Sequence, residues 1–155
     1  IPMSLYNELE LSLEDHKVAL NETSFFLEVL VNTFDEILGT ASATIGIRAG
    51  RQMGKKIPIH MKDGEIPVLF EALDEYFGTG CQFQTEDIGD EAAKLTFTNC
   101  PVAAVCEARG AELGGHFCKI YHDYLTGIGT EILGYPIRFR TLSTGAQCEV
   151  EVEPR

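Results

Sequence analysis

Cys118 and His122 stand four residues apart in the run Cys118-Lys-Ile-Tyr-His122. On a helix that spacing puts a thiol and an imidazole on one face. A soft thiolate beside an imidazole suits zinc or iron. Two ligands do not complete a site, so further donors must come from elsewhere in the chain. Cys100 ends an alternating stretch just before Pro101, and Cys148 falls on the inward side of the last alternating stretch. If a long helix packs on both stretches, Cys100, Cys118, His122 and Cys148 converge as metal ligands, with Cys106 and His116 in reserve.

The same residues permit nucleophilic chemistry. Cys100 lies just ahead of a helix N-terminus, whose positive field lowers a thiol pKa. Cys118 has His122 as a base and Asp123 as a candidate orienting group, the general arrangement of an activated thiol. Asp123 follows His122 directly, however, so it points about 100° away around the helix. A third reading is inert packing, because free cysteine is among the most buried residue types. The five cysteines (Cys81, Cys100, Cys106, Cys118 and Cys148) are odd in number, and no basic stretch followed by an apolar one opens the sequence. Free thiols in a cytoplasmic protein are therefore expected rather than a disulfide framework.

Positioning these groups requires a frame. Residues 1–20 are acidic and weakly patterned, and read as an N-terminal arm; residues 21–155 read as one domain. From Asn21, a plausible cap, Phe26, Leu30, Phe34, Ile37 and Leu38 recur at helical steps up to Gly39. The next helical stretch, 40–56, carries Gly46, Gly50 and Gly54 four apart. Each glycine costs about 1 kcal/mol of helix stability against alanine, so three on one stripe mark a face approached closely by another backbone or by a ligand. Residues 55–65 form a polar loop that could act as a lid. Pro67 opens an amphipathic helix through Leu69, Phe70 and Leu73, which Gly78 closes.

The period then changes to two. Cys81, Phe83 and Thr85, then Ala93, Leu95 and Phe97, alternate with polar residues and form a hairpin. A short helix starts at Pro101, and a longer one spans 113–133 with Phe117, Tyr121, Tyr124, Ile128 and Ile132 on its apolar stripe. A last hairpin pairs 137–143 with 147–152, and Arg138 and Arg140 face Glu149 and Glu151 across it. Together these predict an α+β domain in which helices cover an antiparallel sheet of two hairpins.

Composition narrows the function classes. The chain has 155 residues and 24 acidic against 12 basic side chains, a formal charge of −12. A basic nucleic-acid footprint is missing, and attraction to anionic membranes is not expected. No apolar run approaches the ~18 residues of a membrane span. Walker-type phosphate loops are absent, and the Gly110-Ala-Glu-Leu-Gly114-Gly115 loop lacks Rossmann spacing.

Several stretches, taken in order, resemble the vinyl reductase (hydrocarbon-binding) domain superfamily. Ile47-Arg-Ala-Gly-Arg-Gln-Met-Gly54 is similar to its glycine-rich helix. Thr98-Asn-Cys-Pro101 resembles the strand-end Cys-Pro of methanogen output domains and of the aminothiazoline-carboxylate hydrolase-like members. Cys118 through Gly127, then Gly134-Tyr-Pro136 and Gly145-Ala-Gln-Cys148, resemble the C-terminal Cys, Gly, Gly-x-Pro and Gly-x-x-Cys pattern. The resemblance implies a fold similar to the vesicle-tethering subunits that hold an acyl chain. It implies a small-molecule-binding or sensory role, often in a homodimer, with an apolar or cofactor-like ligand. Phe26, Phe34, Gly50, Phe70, Phe117 and Tyr121 are the candidate ligand-lining residues. Relatives that sense aromatic compounds hold a structural zinc through three Cys and a Glu; Cys118 and Cys148 match two of those positions. The acidic-Cys pair is replaced here by Thr141-Leu-Ser-Thr144, so Cys100 and His122 are the substitutes. Zinc is the first expectation for the cofactor, and iron, as haem or an iron–sulfur group, the second. The hydrolase-like relatives imply the alternative, thiol chemistry on a small cyclic substrate carried by Cys100, Cys118 and Asp123.

Overall fold

The structure, a computed structural model, describes residues 11–145 and 147–155. Helix α1 spans Leu13–Leu38. It begins well before Asn21 because Ser12 and Asp15 form a reciprocal capping box: the Asp15 amide donates to the Ser12 hydroxyl, and the Ser12 amide donates to the Asp15 carboxylate. Residues 13–20 of the expected N-terminal arm are therefore helix, while 1–10 lie outside the described residues. Helix α2 spans Ser42–Gly54, and α3 spans Ile66–Phe77 with Pro67 in its first turn.

Strands β1 (Gln82–Gly89) and β2 (Ala92–Asn99) form the first hairpin. Its turn places Asp90 and Glu91 at positive φ, 54° and 61°. Helix α4 (Pro101–Arg109) and helix α5 (His116–Leu133) follow, each stopped by a left-handed glycine, Gly110 and Gly134. Strands β3 (Ile137–Ser143) and β4 (Cys148–Pro154) close the chain. The sheet order is β1-β2-β4-β3, with every pairing antiparallel. The α+β architecture expected from the alternating periods is the one observed.

Register is set by which side chains must be inside. Ala93, Leu95, Val150 and Val152 are buried, while Lys94, Glu86 and Glu149 form a charged ladder on the other face. The last hairpin sets arginines against glutamates as expected, Arg140 with Glu151 and Arg138 with Glu153, so Glu153 takes the place expected for Glu149. Beyond an irregularity between Thr141 and Ser143, Glu149 pairs with Ser143. Helices α3 and α5 cover the apolar face. Phe70 of α3 is fully buried and meets Phe83 and Phe139 edge-on at 6.0 and 5.6 Å. Such aromatic pairs add about 1 kcal/mol each beyond their area.

The glycine stripe of α2 is a packing device. A methyl group on Gly50 would sit 2.9 Å from Gly127 Cα of α5 and closer still to the Tyr124 carbonyl. Gly46 and Gly54 leave similar room for the Asp123 and Glu131 stems. Of the two readings of the stripe, close approach of another backbone is the one realised, and Gly50 faces α5. Residues 55–65 are pinned to the far end of α5. Ile57 is buried, the Asp63 amide donates to the Leu133 carbonyl, and the Tyr135 hydroxyl donates to the Gly64 carbonyl.

Candidate functional site

Three pieces of local structure converge at the N-terminal end of α5. Strand β2 runs out at Asn99, and Cys100 caps the next helix with extended backbone, φ −113° and ψ 120°. Pro101 then starts α4, where a missing amide proton costs nothing. Beside it, β4 begins at Cys148, directly across from Phe97 of β2. The loop from Gly110 to Gly115 turns the chain into α5, whose first turn carries Cys118.

Between them lies a cavity of about 660 Å³. Its walls include Cys100, Cys106, Cys118, Cys148, Tyr121 and His122. The sequence placed all four of these thiols and the imidazole in contention, with Cys106 only in reserve. Other lining residues carried no advance signal, among them Asn99, Val102, Glu107, Leu113 and Thr144. They come from the end of β2, from α4 and from the loops at 110–115 and 144–145. No Lys or Arg lines it among the described residues.

His122 is held by stacking. Its ring lies between Phe97 and Phe139, 6.3 and 5.8 Å away and 23° and 29° from parallel. Its Nδ1 is 3.4 Å from the Thr141 hydroxyl. Burial lowers its pKa to about 4, so the imidazole is neutral near pH 7. Burial raises the Cys100 thiol, and the Ala103 and Val102 amides of α4's first turn offset part of that rise. Burial, and after it the neighbouring Cys118 sulfur, pushes the Cys106 thiol up to about 11. Burial also raises Cys148. Cys100, Cys106 and Cys148 are accordingly protonated near neutral pH. Cys81, the remaining cysteine, lies in the core and accepts a hydrogen bond from the Tyr121 hydroxyl at 3.3 Å.

The proposed metal set of Cys100, Cys118, His122 and Cys148 shares the cavity wall. Among the described residues, however, no three His, Cys, Asp or Glu side chains are grouped closely enough to hold a metal ion. The residues as placed do not fit a single zinc ion, because they do not gather around one point, and the thiol in hydrogen-bond contact with Cys118 is Cys106, which is outside the proposed set. His116 is elsewhere, paired with Asp35 at 3.2 Å. Asp123 is also elsewhere. Its Cβ faces Gly46 of α2, it lines a second cavity with Asp35 and His116, and burial raises its carboxyl. A one-residue step around the helix carries it away from His122.

Of the six candidate ligand-lining residues, Tyr121 lines the cavity. Phe70 belongs to the core, Gly50 to the α2–α5 contact, and Phe26 is 63% exposed on α1. Phe34 and Phe117 are half-buried outside the cavity. Apolar periodicity marks the side of a helix that packs; it does not separate core from pocket. The 55–65 loop contributes no lining residue to this cavity, so it is not a lid over it.

The fold is shared with solved structures. It is similar to the crystal structure of the phenol-responsive sensory domain of the transcription activator PoxR with phenol, with a TM-score of 0.57 at 15% identity over 84% of this chain and 74% of that one. It is also similar to a trafficking protein particle complex subunit 3 from Naegleria fowleri covalently bound to palmitic acid, with a TM-score of 0.58 at 13% identity over 90% and 96% of the two chains. No curated protein matches the sequence. Residues 26–151 match the family model described as L-2-amino-thiazoline-4-carboxylic acid hydrolase, and the chain belongs to that family. The family is part of the vinyl reductase-like superfamily.

Proposed function

We propose that this chain is a small-molecule-binding domain that takes an uncharged, largely apolar ligand into the thiol-lined cavity. The observation that carries this is the cavity itself: about 660 Å³, with no Lys or Arg on its wall among the described residues. That volume is in the usual range for small-ligand sites, which run from roughly 300 to 1,000 Å³. A ligand carboxylate would enter with Glu107 as its charged neighbour and no cation to pair with, which is costly. A neutral ring or short chain meets Phe97, Val102 and Leu113 without that cost. The two fold neighbours are structures with phenol and with palmitic acid, which supports a ligand of this chemistry.

The domain works, in this reading, as a cytoplasmic homodimer. Support for the compartment is the set of five free thiols. No helix among the described residues is long and apolar enough to cross a membrane. Support for self-association is α1. Every residue from 13 to 23 is exposed, including Leu13 at 73% and Leu20 at 68%. Leu13, Leu20, Leu27 and Phe34 follow at seven-residue steps, the spacing of a helix-pair seam.

The test is thermal unfolding with phenol against benzoate, two probes of one shape and different charge. Phenol is expected to raise Tm saturably and benzoate is not, and Ala103→Trp, which fills the cavity, is expected to abolish the shift. Equal or stronger stabilisation by benzoate overturns the reading.

The family description favours a second reading, hydrolysis of a small cyclic substrate. Cys118 and His122 share the cavity wall as nucleophile and base would. It requires turnover of L-2-amino-thiazoline-4-carboxylic acid that is lost in Cys118→Ala. Asp123, on the other side of the helix, takes no part in it.

A further inference from the structure

Four of the five cysteines line the cavity, and they are not equivalent. The thiols of Cys106, on α4, and Cys118, in the first turn of α5, are in hydrogen-bond contact. Both are free, Cys106 fully buried and Cys118 half-buried on the cavity wall. The chain between them is the end of α4 and the Gly110–Gly115 loop, so a bond between the two sulfurs closes only a short loop. The backbone on the Cys106 side is fixed, because the Gly110 and Ala111 amides both donate to its carbonyl.

We propose that Cys106 and Cys118 form a redox modification site, oxidised to a reversible disulfide by a small uncharged disulfide that enters the cavity. Cys118, the half-buried member, attacks first. A bond forms between its sulfur and one sulfur of the entering disulfide, whose own S–S bond breaks. The other half departs as a thiol, carrying the proton that Cys118 gave up. The Cys106 sulfur then attacks the Cys118 sulfur, and the second half departs with the Cys106 proton. In sum two cysteine thiols are oxidised and one disulfide is reduced to two thiols. Burial and then the neighbouring Cys118 sulfur hold the Cys106 thiol up. Once Cys118 is bonded to the entering group its charge is gone, and loss of the Cys106 proton becomes easier. An uncharged co-reactant suits a wall that carries Glu107 and, among the described residues, no Lys or Arg. Transient disulfides that register oxidants are the kind compatible with a reducing compartment.

The bond also acts on the cavity. Val102, Ala103 and Glu107 of α4 line it from one side, and Tyr121 and His122 of α5 from another. Drawing the two sulfurs to a bonded distance of about 2 Å pulls α4 onto α5 and narrows the space between them. This last step rests on the ligand-binding reading; bond formation itself is measured without a ligand.

The test is treatment of the folded, reduced chain with bis(hydroxyethyl) disulfide, followed by alkylation and tryptic peptide mapping. Cleavage after Lys94, Arg109 and Lys119 puts Cys106 in residues 95–109 and Cys118 in residues 110–119. These two peptides are expected to be joined, with fragmentation placing the bond at Cys106 rather than Cys100, and a reductant is expected to separate them. Cys106→Ser is expected to stop at one hydroxyethylthio group held on Cys118. Cys118→Ser is expected to form no such bond, and Cys148→Ser to form it as the wild type does. Far-ultraviolet circular dichroism checks that each variant is folded. A bond from Cys118 to Cys100 or Cys148 instead, a bond that forms only in urea, or full alkylation of both thiols after treatment overturns the proposal. Phenol stabilisation is measured on both forms. A Tm shift several-fold smaller in the bonded chain and restored by reductant is expected, and an equal shift in both forms overturns the narrowing. No shift in either form, with the bond in place, counts against the ligand-binding reading and not against the disulfide.

Discussion

Phe97 of β2 and Cys148 of β4 are direct partners across the sheet. It is the last of the five β2–β4 pairs that join the two hairpins, and it sets the end of β2 against the start of β4. Three residues beyond Phe97 the chain reaches Cys100 and turns into α4, so the cavity opens where the sheet stops. The ring of His122 stacks on the same Phe97, tying α5 to this corner.

The corner is pH-sensitive. His122 titrates near 6.5 when exposed and near about 4 in the folded protein. Between those values the unfolded chain binds more protons, so His122's contribution is full above pH 6.5 and is lost as pH falls toward 4. The loss is up to ~3 kcal/mol, reduced by whatever water reaches the ring at the cavity. His122→Phe keeps a stacked ring and removes the proton site. Urea midpoints of the two proteins between pH 4 and 7 are expected to diverge, with the wild type losing more. Parallel curves would exclude a buried neutral imidazole.

Helix α2 and helix α5 pack backbone to backbone. Gly50→Ala forces a methyl into the Tyr124 carbonyl and is expected to cost about 3 kcal/mol or more, because no flexible side chain can give way. Gly80→Ala, where nothing lies within 4 Å, is expected to stay within about 0.5 kcal/mol. Equal denaturation midpoints for the two variants would contradict the packing.

The N-terminal half of α1 is expected to find its partner in a second copy. Leu13→Glu with Leu20→Glu places charge on the exposed seam and touches no buried residue. Light scattering is expected to show a dimer for the wild type and a monomer for the double variant, with unchanged unfolding of the body. A monomeric wild type would refute the seam.

How much of this was legible beforehand follows from period and punctuation. Alternation at Phe83, Leu95 and Val150 announced the hairpins, and Gly78, Gly110 and Gly134 ended helices as expected. The start of α1 was missed because its first turns are exposed and carry no apolar stripe facing the body; the signal was the Ser12 and Asp15 box. Cys100, Cys118, His122 and Cys148 do share one wall, which strand parity and the four-residue step anticipated. What they do there was not legible. Whether thiols meet at a point or ring a void depends on how α4 lies against the sheet, and its spacing carries no such information. Of the candidate ligand-lining aromatics Tyr121 lines this cavity, while Phe70 and Phe26 share a residue type although one is core and the other is surface.

The proposed function requires an uncharged ligand to enter the thiol-lined cavity. Phenol titrated into isotope-labelled protein tests it most directly by nuclear magnetic resonance. Saturable shifts at Val102, Leu113 and Tyr121, with none at Ile120 or Ala43 of the second cavity, are the predicted result. Shifts centred on the second cavity, or none at any residue, would contradict it.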